Sequence, residues 1–217
     1  HKPLVVTEGK TDKKILDIAA EKLGVNIPDI LIRACDKCGG DGSNGGTGTL
    51  ARLIESIHPE DERVVIAIFD NDEEGQKEFN TLSKNFKKAD WNNEIKMHKN
   101  GFAWAMLLPE PEFREGYVSA KNLSIEYLFV DDVLEQEFQN GRKLELKDPL
   151  AHLIFAGHRQ NDIPDEVREF ISQKAKPYKK VGAGKDEFSE EIIPNLNIED
   201  FDSFRNIFDS INQILDS

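Results

Sequence analysis

The sequence RVVIAIFDND at residues 63–72 limits the possible fold more than any other part of this chain. It contains an apolar, mostly β-branched run that stops at Asp70, and such a run predicts a strand that is buried on both faces. Strands of this kind occur mainly in parallel sheets that are covered by helices on both sides. An α/β fold is therefore expected.

The first 110 residues alternate between strand and helix patterns. The strand-like segments are short apolar runs at residues 3–9, 29–35, 63–72, 94–99 and 102–109. The helix-like segments lie between them, at residues 11–24, 49–58 and 73–86. This order predicts a mostly parallel sheet with helices on its faces, and such sheets bind ligands at the carboxyl ends of their strands. Asn100-Gly101 has the composition of a hairpin turn between the last two strands.

The chain after Pro109 has a weaker periodicity. Helices are predicted at residues 124–129 and 165–175. A third, amphipathic helix is predicted at residues 198–215, from five apolar side chains at three- and four-residue spacing: Phe201, Phe204, Phe208, Ile211 and Leu215. We expect it to pack against the body of the chain or a missing domain, or to pair two copies as a homodimer. The chain is thus divided into a core at residues 1–130 and a mixed, mainly helical C-terminal extension at residues 131–217.

Composition excludes several classes of protein. The 217 residues include 13 Phe and are 38% hydrophobic, which is enough for a core and argues against general disorder. No apolar run reaches the roughly 18 residues of a membrane span, and no secretory leader is recognisable. We therefore expect a cytoplasmic protein with no membrane partner. The chain begins with His1 and enters a strand by Leu4, as expected for a piece of a longer protein.

The net charge of −13 argues against a passive nucleic-acid clamp, because a face that neutralises phosphates is usually basic. It does not argue against a metal-dependent nuclease, since clustered carboxylates hold the cations that then meet the phosphate. Two Lys-rich stretches, at residues 83–88 and 173–185, could contact nucleic acid. A solvated surface is the alternative for both stretches and is favoured for the first.

Cys35 and Cys38 form a single CxxC beside a Gly-rich loop at residues 39–48. A zinc site normally needs four ligands, and no second pair follows at a suitable spacing. A redox pair is an alternative, and two reduced thiols in the cytosol are expected. The loop matches neither a Walker A motif nor a GxGxxG that follows a strand, so it does not predict phosphate binding.

Five carboxylates are candidates for a metal site. Glu8 and Asp12 flank the turn from the first strand into the first helix, and Asp70 and Asp72 end the most apolar strand. Grouped carboxylates repel each other unless a cation neutralises them, and Mg²⁺ prefers such oxygen ligands. The alternatives are favourable contact with a helix dipole for the first pair, and a turn or helix N-cap for the second. Glu126, in SIEYLF, would by itself be a surface residue.

In combination, EGKTD at residues 8–12 and DNDEEG at residues 70–75 resemble the Toprim domain of topoisomerases, primases and certain nucleases. The segment VVTEGKTDKKIL, with SIEYLF downstream and a lysine further on, is most similar to the OLD (overcoming lysogenization defect) family of nucleases. The resemblance covers roughly residues 3–130 and implies a Toprim, Rossmann-like core. That domain usually follows an ABC-type ATPase domain, and similar nucleases occur in bacterial anti-phage systems.

The resemblance implies a role for each acidic residue. The implied ligands of two Mg²⁺ or Mn²⁺ ions are Glu8, Asp12, Asp70, Asp72 and Glu126. Glu8 is also implied as a general acid or base. A lysine near the scissile phosphate is implied as well, and Lys185 is chosen for this catalytic and substrate-binding role, with Lys179 and Lys180 as rivals.

The activity that the resemblance implies is a metal-dependent endonuclease that hydrolyses DNA by a two-metal mechanism. An RNA-cleaving Toprim nuclease, a topoisomerase or primase module, and a noncatalytic scaffold remain as alternatives. No topoisomerase motif surrounds any tyrosine of the chain, which argues against the topoisomerase. The Gly-rich loop and the segment after residue 130 depart from the family pattern and leave the substrate and partner open.

Overall fold

A computed structural model describes residues 2–25, 30–35, 46–58, 60, 62–114, 122–147 and 180–217. These residues form a six-stranded sheet flanked by helices, followed by a mainly helical C-terminal segment. The predicted α/β class, with its mostly parallel sheet, is thereby confirmed. In the part of the chain that the structure describes, no helix has both the length and the apolar composition needed to cross a membrane.

The sheet combines a parallel core with an antiparallel edge. Its strands are β1 (Leu4–Thr7), β2 (Leu31–Ala34), β3 (Val65–Phe69), β4 (Phe86–Ala89), β5 (Asn92–His98) and β6 (Ala103–Leu107). The spatial order is β2-β1-β3-β6-β5-β4. The first four strands in this order run parallel, and β5 and β4 are antiparallel to their neighbours. All residues of β1 and β3 are buried, as their apolar sequences predict.

Three helices cover the two faces of this sheet, α1 (Lys10–Lys22), α2 (Thr47–Glu55) and α3 (Glu73–Thr81). Successive strand residues point to opposite faces. On one face, Val5 lies in the same hydrophobic cluster as Ile15 of α1. On the other face, Val6 lies in a cluster with Leu50 of α2 and Phe79 of α3. Both faces are therefore packed, which leaves the edge formed by the strand ends as the place for polar side chains.

The edge strand β4 was not predicted, because the sequence favoured a helix that continues to residue 86. Helix α3 instead ends at Thr81, and the chain turns into β4 at Phe86. Lys87 and Lys88 are exposed on this strand, and exposed lysines protect a sheet edge from pairing with other chains. Strand β4 is separated from β1 by β5, β6 and β3, so the exposed lysines of residues 83–88 lie on a solvated surface away from the predicted site.

The remaining described segments are short. They are two 3-10 turns (Glu112–Arg114 and Ile125–Leu128), α4 (Asp131–Leu134), a ladder of β7 (Leu146–Lys147) with β8 (Lys180–Val181), α5 (Lys185–Glu187), a π-helical turn (Phe188–Ile192) and a 3-10 turn (Ile193–Asn195). The helix predicted at residues 165–175 lies outside the described residues. The amphipathic helix at residues 198–215 begins as a 3-10 helix (Ile198–Phe204) and continues as α6 (Arg205–Leu215).

An aromatic cluster attaches this C-terminal helix to the 3-10 turn Ile125–Leu128. The ring centroid of Phe129 lies 5.9 Å from that of Phe188, 5.5 Å from that of Phe201 and 5.0 Å from that of Phe204. All four rings are fully buried. The predicted packing of the amphipathic helix against the body of the chain is therefore confirmed, while pairing of two copies stays a prediction.

Candidate metal centre

The carboxyl ends of β1 and β3 place Glu8 beside Asp70. The two strands are parallel, and Thr7 pairs with Ile68, so the residues that follow leave the sheet next to each other. Oε1 of Glu8 accepts a hydrogen bond from the backbone N–H of Asp70 at 3.0 Å. Oε2 of Glu8 accepts one from the hydroxyl of Thr47 at 2.9 Å. Both oxygens of Glu8 are thus oriented by the protein.

Thr47 is a site contact that the sequence reasoning missed. It is buried at the start of α2, directly after Gly46, whose φ of 122° favours glycine. The Gly-rich loop matched no phosphate-binding motif, and no local pattern links Thr47 to Glu8, 39 positions away. The only available signal was a hydroxyl at the point where the Gly-rich run meets a helix. Cys35 is buried after β2, while Cys38 and residues 39–45 lie outside the described residues.

Asp12 lies in the first turn of α1, as the helix-dipole alternative predicted, and it also lies near the other carboxylates. It is buried in the first turn of α1, and its Oδ2 accepts a hydrogen bond from the N–H of Gly9 at 2.9 Å. This is a helix-capping contact. Burial is the main cause, and the charge of Glu126 the second cause, of a rise in the pKa of Asp12 to about 6. Asp12 therefore both caps α1 and adds negative charge to the site.

The carboxylates at the strand ends hold protons more tightly than isolated ones. Burial raises the pKa of Glu8 to about 7, although the hydrogen bonds from Asp70 and Thr47 oppose the rise. Burial also raises the pKa of Asp70 well above its usual range, and the charge of Glu8 is the next cause. Any added positive charge would favour the ionised forms and displace these protons.

Glu126 is fully buried in the turn Ile125–Leu128. Its Oε2 accepts hydrogen bonds from the hydroxyl of Ser124 at 2.6 Å and from Nζ of Lys185 at 3.3 Å. Its Oε1 lies 3.0 Å from the same Nζ, but it accepts no hydrogen bond from any described residue. This buried oxygen therefore already lies beside one positive charge, that of Lys185, and burial of a carboxylate oxygen favours such a neighbouring cation.

Lys185 is the first residue of α5, and its half-buried ammonium group lies among the predicted carboxylates. Burial alone would lower its pKa, but the charges of Glu126, Asp70 and Asp12 outweigh that effect and raise it. The rival Lys180 is exposed and lines a different cleft, and Lys179 lies outside the described residues. Of the two candidate lysines that the structure describes, Lys185 and Lys180, Lys185 is the one that lies at the predicted site.

One open cavity of about 550 Å³ contains most of these groups, and its lining includes Glu8, Asp12, Asp70 and Lys185. Glu126 contacts this lining through Lys185. The cavity lies at the carboxyl edge of the sheet, where the parallel topology predicts a ligand. Three of the five predicted ligands and the chosen lysine thus line one cavity, and a fourth, Glu126, lies behind that lysine.

Asp72 is set apart from this group. Its Oδ1 accepts a hydrogen bond from the N–H of Gly75 at 2.7 Å, so it is the N-cap of α3, as the local alternative predicted. It lines a second cleft, of about 240 Å³, together with Lys180. Its charge nevertheless contributes to the raised pKa of Glu8. A Cβ at Gly75 would lie 1.9 Å from the carbonyl oxygen of Asp70, so this turn requires glycine.

Asn71, the residue between the two aspartates, is another contact that the sequence reasoning missed. Its hydrogen bonds join the end of β3 to two other segments of the chain. It is buried, and its Nδ2 donates a hydrogen bond to the carbonyl of Leu108 at 3.0 Å, just after β6. Its backbone N–H donates to the carbonyl of Leu123 at 2.8 Å, three residues before Glu126. Asn71 therefore connects the end of β3 to the segment that carries Glu126.

The donor set suits a hard divalent cation, because its members are carboxylate oxygens. Within the described residues, no three Asp, Glu, His or Cys side chains surround a single point at metal-binding distances. The positive charge in contact with Glu126 is instead that of Lys185. Ion binding would therefore require these side chains to rotate toward each other.

No family model matches the chain, and neither the curated proteins nor the solved structures contain a match. The resemblance to Toprim domains and to the OLD family therefore stays a prediction. It rests on the motifs at residues 8–12 and 70–75 together with Glu126.

Proposed function

We propose that the chain is a divalent-metal-dependent nuclease domain of the Toprim type, most similar to the OLD family, which hydrolyses DNA phosphodiester bonds by a two-metal mechanism. The observation that carries this proposal is the proximity of four carboxyl groups, those of Glu8, Asp12, Asp70 and Glu126, whose charges act on one another, with the ammonium of Lys185 among them. An N-terminal ABC-type ATPase domain and a role in anti-phage defence belong to the same proposal.

The ions would be Mg²⁺ or Mn²⁺, held by Glu8, Asp12, Asp70 and Glu126. Asp72 would contribute through Oδ2, since its Oδ1 caps α3. When bound, the ions would supply positive charge that stabilises the attacking and leaving oxygens of a phosphodiester. The open cavity of about 550 Å³ gives a phosphate group access to these side chains.

Two side chains have protonation states that suit hydrolysis at neutral pH. Without metal, burial raises the pKa of Glu8 to about 7, and a bound cation would favour its ionised form, which can take a proton from water at neutral pH. Its orientation is held by the N–H of Asp70 and the hydroxyl of Thr47. Lys185 keeps its proton, because the surrounding carboxylates raise its pKa. Its ammonium can therefore offset the negative charge of the phosphate.

Cleavage of supercoiled plasmid DNA in the presence of Mg²⁺ or Mn²⁺ tests the proposal. We expect the wild type to cut, and Glu8→Ala and Asp70→Ala to reduce cutting to background. Asp209→Ala, which removes an exposed carboxylate of α6, is the matched control and should cut like the wild type. Equal cutting by all four proteins would contradict the proposal. Cutting of RNA but not of DNA would assign the same site to an RNA-cleaving nuclease.

A noncatalytic domain is the second candidate, and the contact between Lys185 and Glu126 favours it. This internal cation balances part of the carboxylate charge without any metal. Calorimetric titration with Mg²⁺ separates the two candidates. The nuclease is expected to give binding heats near millimolar Mg²⁺ that Asp70→Ala reduces, whereas a scaffold would give no ion-dependent heat.

A further inference from the structure

The turn that carries Glu126 is held by a second buried charged residue, Arg114, which is 3% exposed. Its Nε donates to the carbonyl of Tyr127 at 2.7 Å, and its Nη2 donates to the carbonyl of Phe129 at 2.5 Å. Its Nη1 donates to Oδ1 of Asp131 at 2.9 Å. All three acceptors follow Glu126 within five residues, so the guanidinium fixes this turn from its C-terminal side.

These contacts require arginine rather than any cation. A buried guanidinium is costly unless its donors find acceptors, and here three separate nitrogens do. Its central carbon also lies 4.8 Å from the ring centroid of Phe113 and 5.2 Å from that of Tyr127. A lysine would keep the charge but could not supply this planar, divergent set of donors. The backbone path of the turn therefore depends on the shape of the Arg114 side chain.

We propose that Arg114 is a positioning residue for Glu126, an inference that rests on the proposed metal centre. Because the Glu126 side chain is fully buried, its direction follows the backbone of the turn that Arg114 holds. Arg114 is not one of the residues that line the cavity, so it acts through the turn and not on an ion or substrate directly. Outer residues that orient metal ligands typically change metal affinity by about 10- to 100-fold.

Titration with Mn²⁺, followed by electron paramagnetic resonance, tests this role because it measures both affinity and the symmetry of the bound ion. We expect Arg114→Lys to weaken Mn²⁺ binding about tenfold and to change the spectrum of the bound ion. Arg114→Met should weaken it at least as much. The matched control is Arg63→Lys, since Arg63 also donates to a backbone carbonyl, that of Lys2, but before the strands β1 and β3 begin. It should leave both readouts unchanged.

A double-mutant cycle separates positioning from general destabilisation. In a Glu126→Gln background, Arg114→Lys should cause no further loss of Mn²⁺ affinity. An equal loss with and without Glu126 would overturn the inference, as would wild-type affinity in folded Arg114→Lys protein. If the wild type binds Mn²⁺ and either of the two contradicting results is found, the role of Arg114 fails and the proposed metal centre stands. If the wild type binds no Mn²⁺, the proposed metal centre and this inference both fail.

A second variant keeps the test decisive if thermal unfolding shows that Arg114→Lys does not fold. Asp131→Asn leaves the guanidinium in place and removes the charge of one acceptor, which is 46% exposed and therefore tolerant of change. We expect Mn²⁺ binding to weaken about twofold to fivefold, in keeping with the strength of a half-exposed ion pair. Unchanged binding by this folded variant would overturn the inference.

Discussion

The candidate site has two halves that are built in different ways. The strand half contains Glu8 and Asp70, which directly follow β1 and β3, and Asp12 in the first turn of α1. Glu8 accepts a hydrogen bond from the N–H of Asp70, and Asp12 accepts one from the N–H of Gly9. The turn half contains Glu126 and Lys185, which are 59 positions apart and meet through tertiary packing. The strand half therefore depends on sheet register, and the turn half depends on contacts made far from the cavity.

The halves also differ in charge. The strand half has three carboxyl groups with raised pKa values, mainly because of burial, although the charge of Lys185 opposes the rise for Asp12 and Asp70. The turn half pairs its carboxylate with the ammonium of Lys185. We infer that an added cation has most to gain in the strand half, where it would relieve repulsion and restore the ionised forms. The following predictions test this comparison, from the largest expected effect to the smallest.

Truncating one aromatic ring beside the turn half and one on α3, outside both halves, should separate stability from metal binding. Phe129→Ala and Phe79→Ala each remove a buried ring, and each should lower the free energy of unfolding by about 3–5 kcal/mol, measured in urea. Phe129→Ala should also weaken Mn²⁺ binding, because Phe129 packs the turn half against Phe188 and Phe201. Phe79→Ala is the control, with binding unchanged. Equal binding by the two folded variants would show that the aromatic cluster does not organise the site.

The two aspartates of DNDEEG should differ in importance. Asp70→Asn removes a carboxylate from the strand half and should weaken Mn²⁺ binding, measured by calorimetry, by at least about tenfold. Asp72→Asn should weaken it by less than about threefold, because Asp72 lines a different cleft. Helix α3 should stay in place, since asparagine caps a helix as well as aspartate does. The reverse order of effects would place the ion in the cleft beside Asp72 rather than in the larger cavity.

Metal affinity should rise with pH through the neutral range. The pKa of Glu8 is raised to about 7, so its proton must leave before an ion can bind, and affinity should increase about tenfold between pH 6 and pH 8. Without metal the effect on stability is opposite. Ionising a carboxyl group with a raised pKa destabilises the folded chain as pH rises from 4.5 to about 7. Glu8→Gln should reduce both dependences without abolishing them, because Asp12 and Asp70 also have raised pKa values. A flat affinity profile in the wild type would argue against Glu8 as a ligand.

The smallest effect is expected from Thr47→Val, which keeps the shape of the side chain and removes its hydrogen bond to Glu8. The loss of one such bond is worth about 1 kcal/mol, or roughly a fivefold weaker affinity for Mn²⁺. Thr47→Ser should restore the wild-type value, since it retains the hydroxyl. If valine and serine give the same affinity, the hydroxyl has no part in orienting Glu8.

The fold could be predicted where the sequence pattern is local and unambiguous. The apolar run at residues 63–72 and the strand–helix alternation predicted the parallel core, because strands that are buried on both faces require apolar residues at every position. The edge strand β4 was missed, since its four residues follow a helical pattern without a clear break. The change from 3-10 to α-helix within residues 198–215 was also missed, because the three-residue spacing of Phe201 and Phe204 suits either form.

The sequence by itself determined that Glu8 and Asp70 lie together, because parallel strands end at the same edge of a sheet and both residues follow such strands directly. It could not decide between the capping and metal-binding roles of Asp72, since a carboxylate at that position can do either. Only the tertiary structure brought Thr47 and Lys185 to the site and Arg114 to the turn that carries Glu126. Their partners are distant along the chain, and contacts between distant residues arise from packing rather than from any local periodicity.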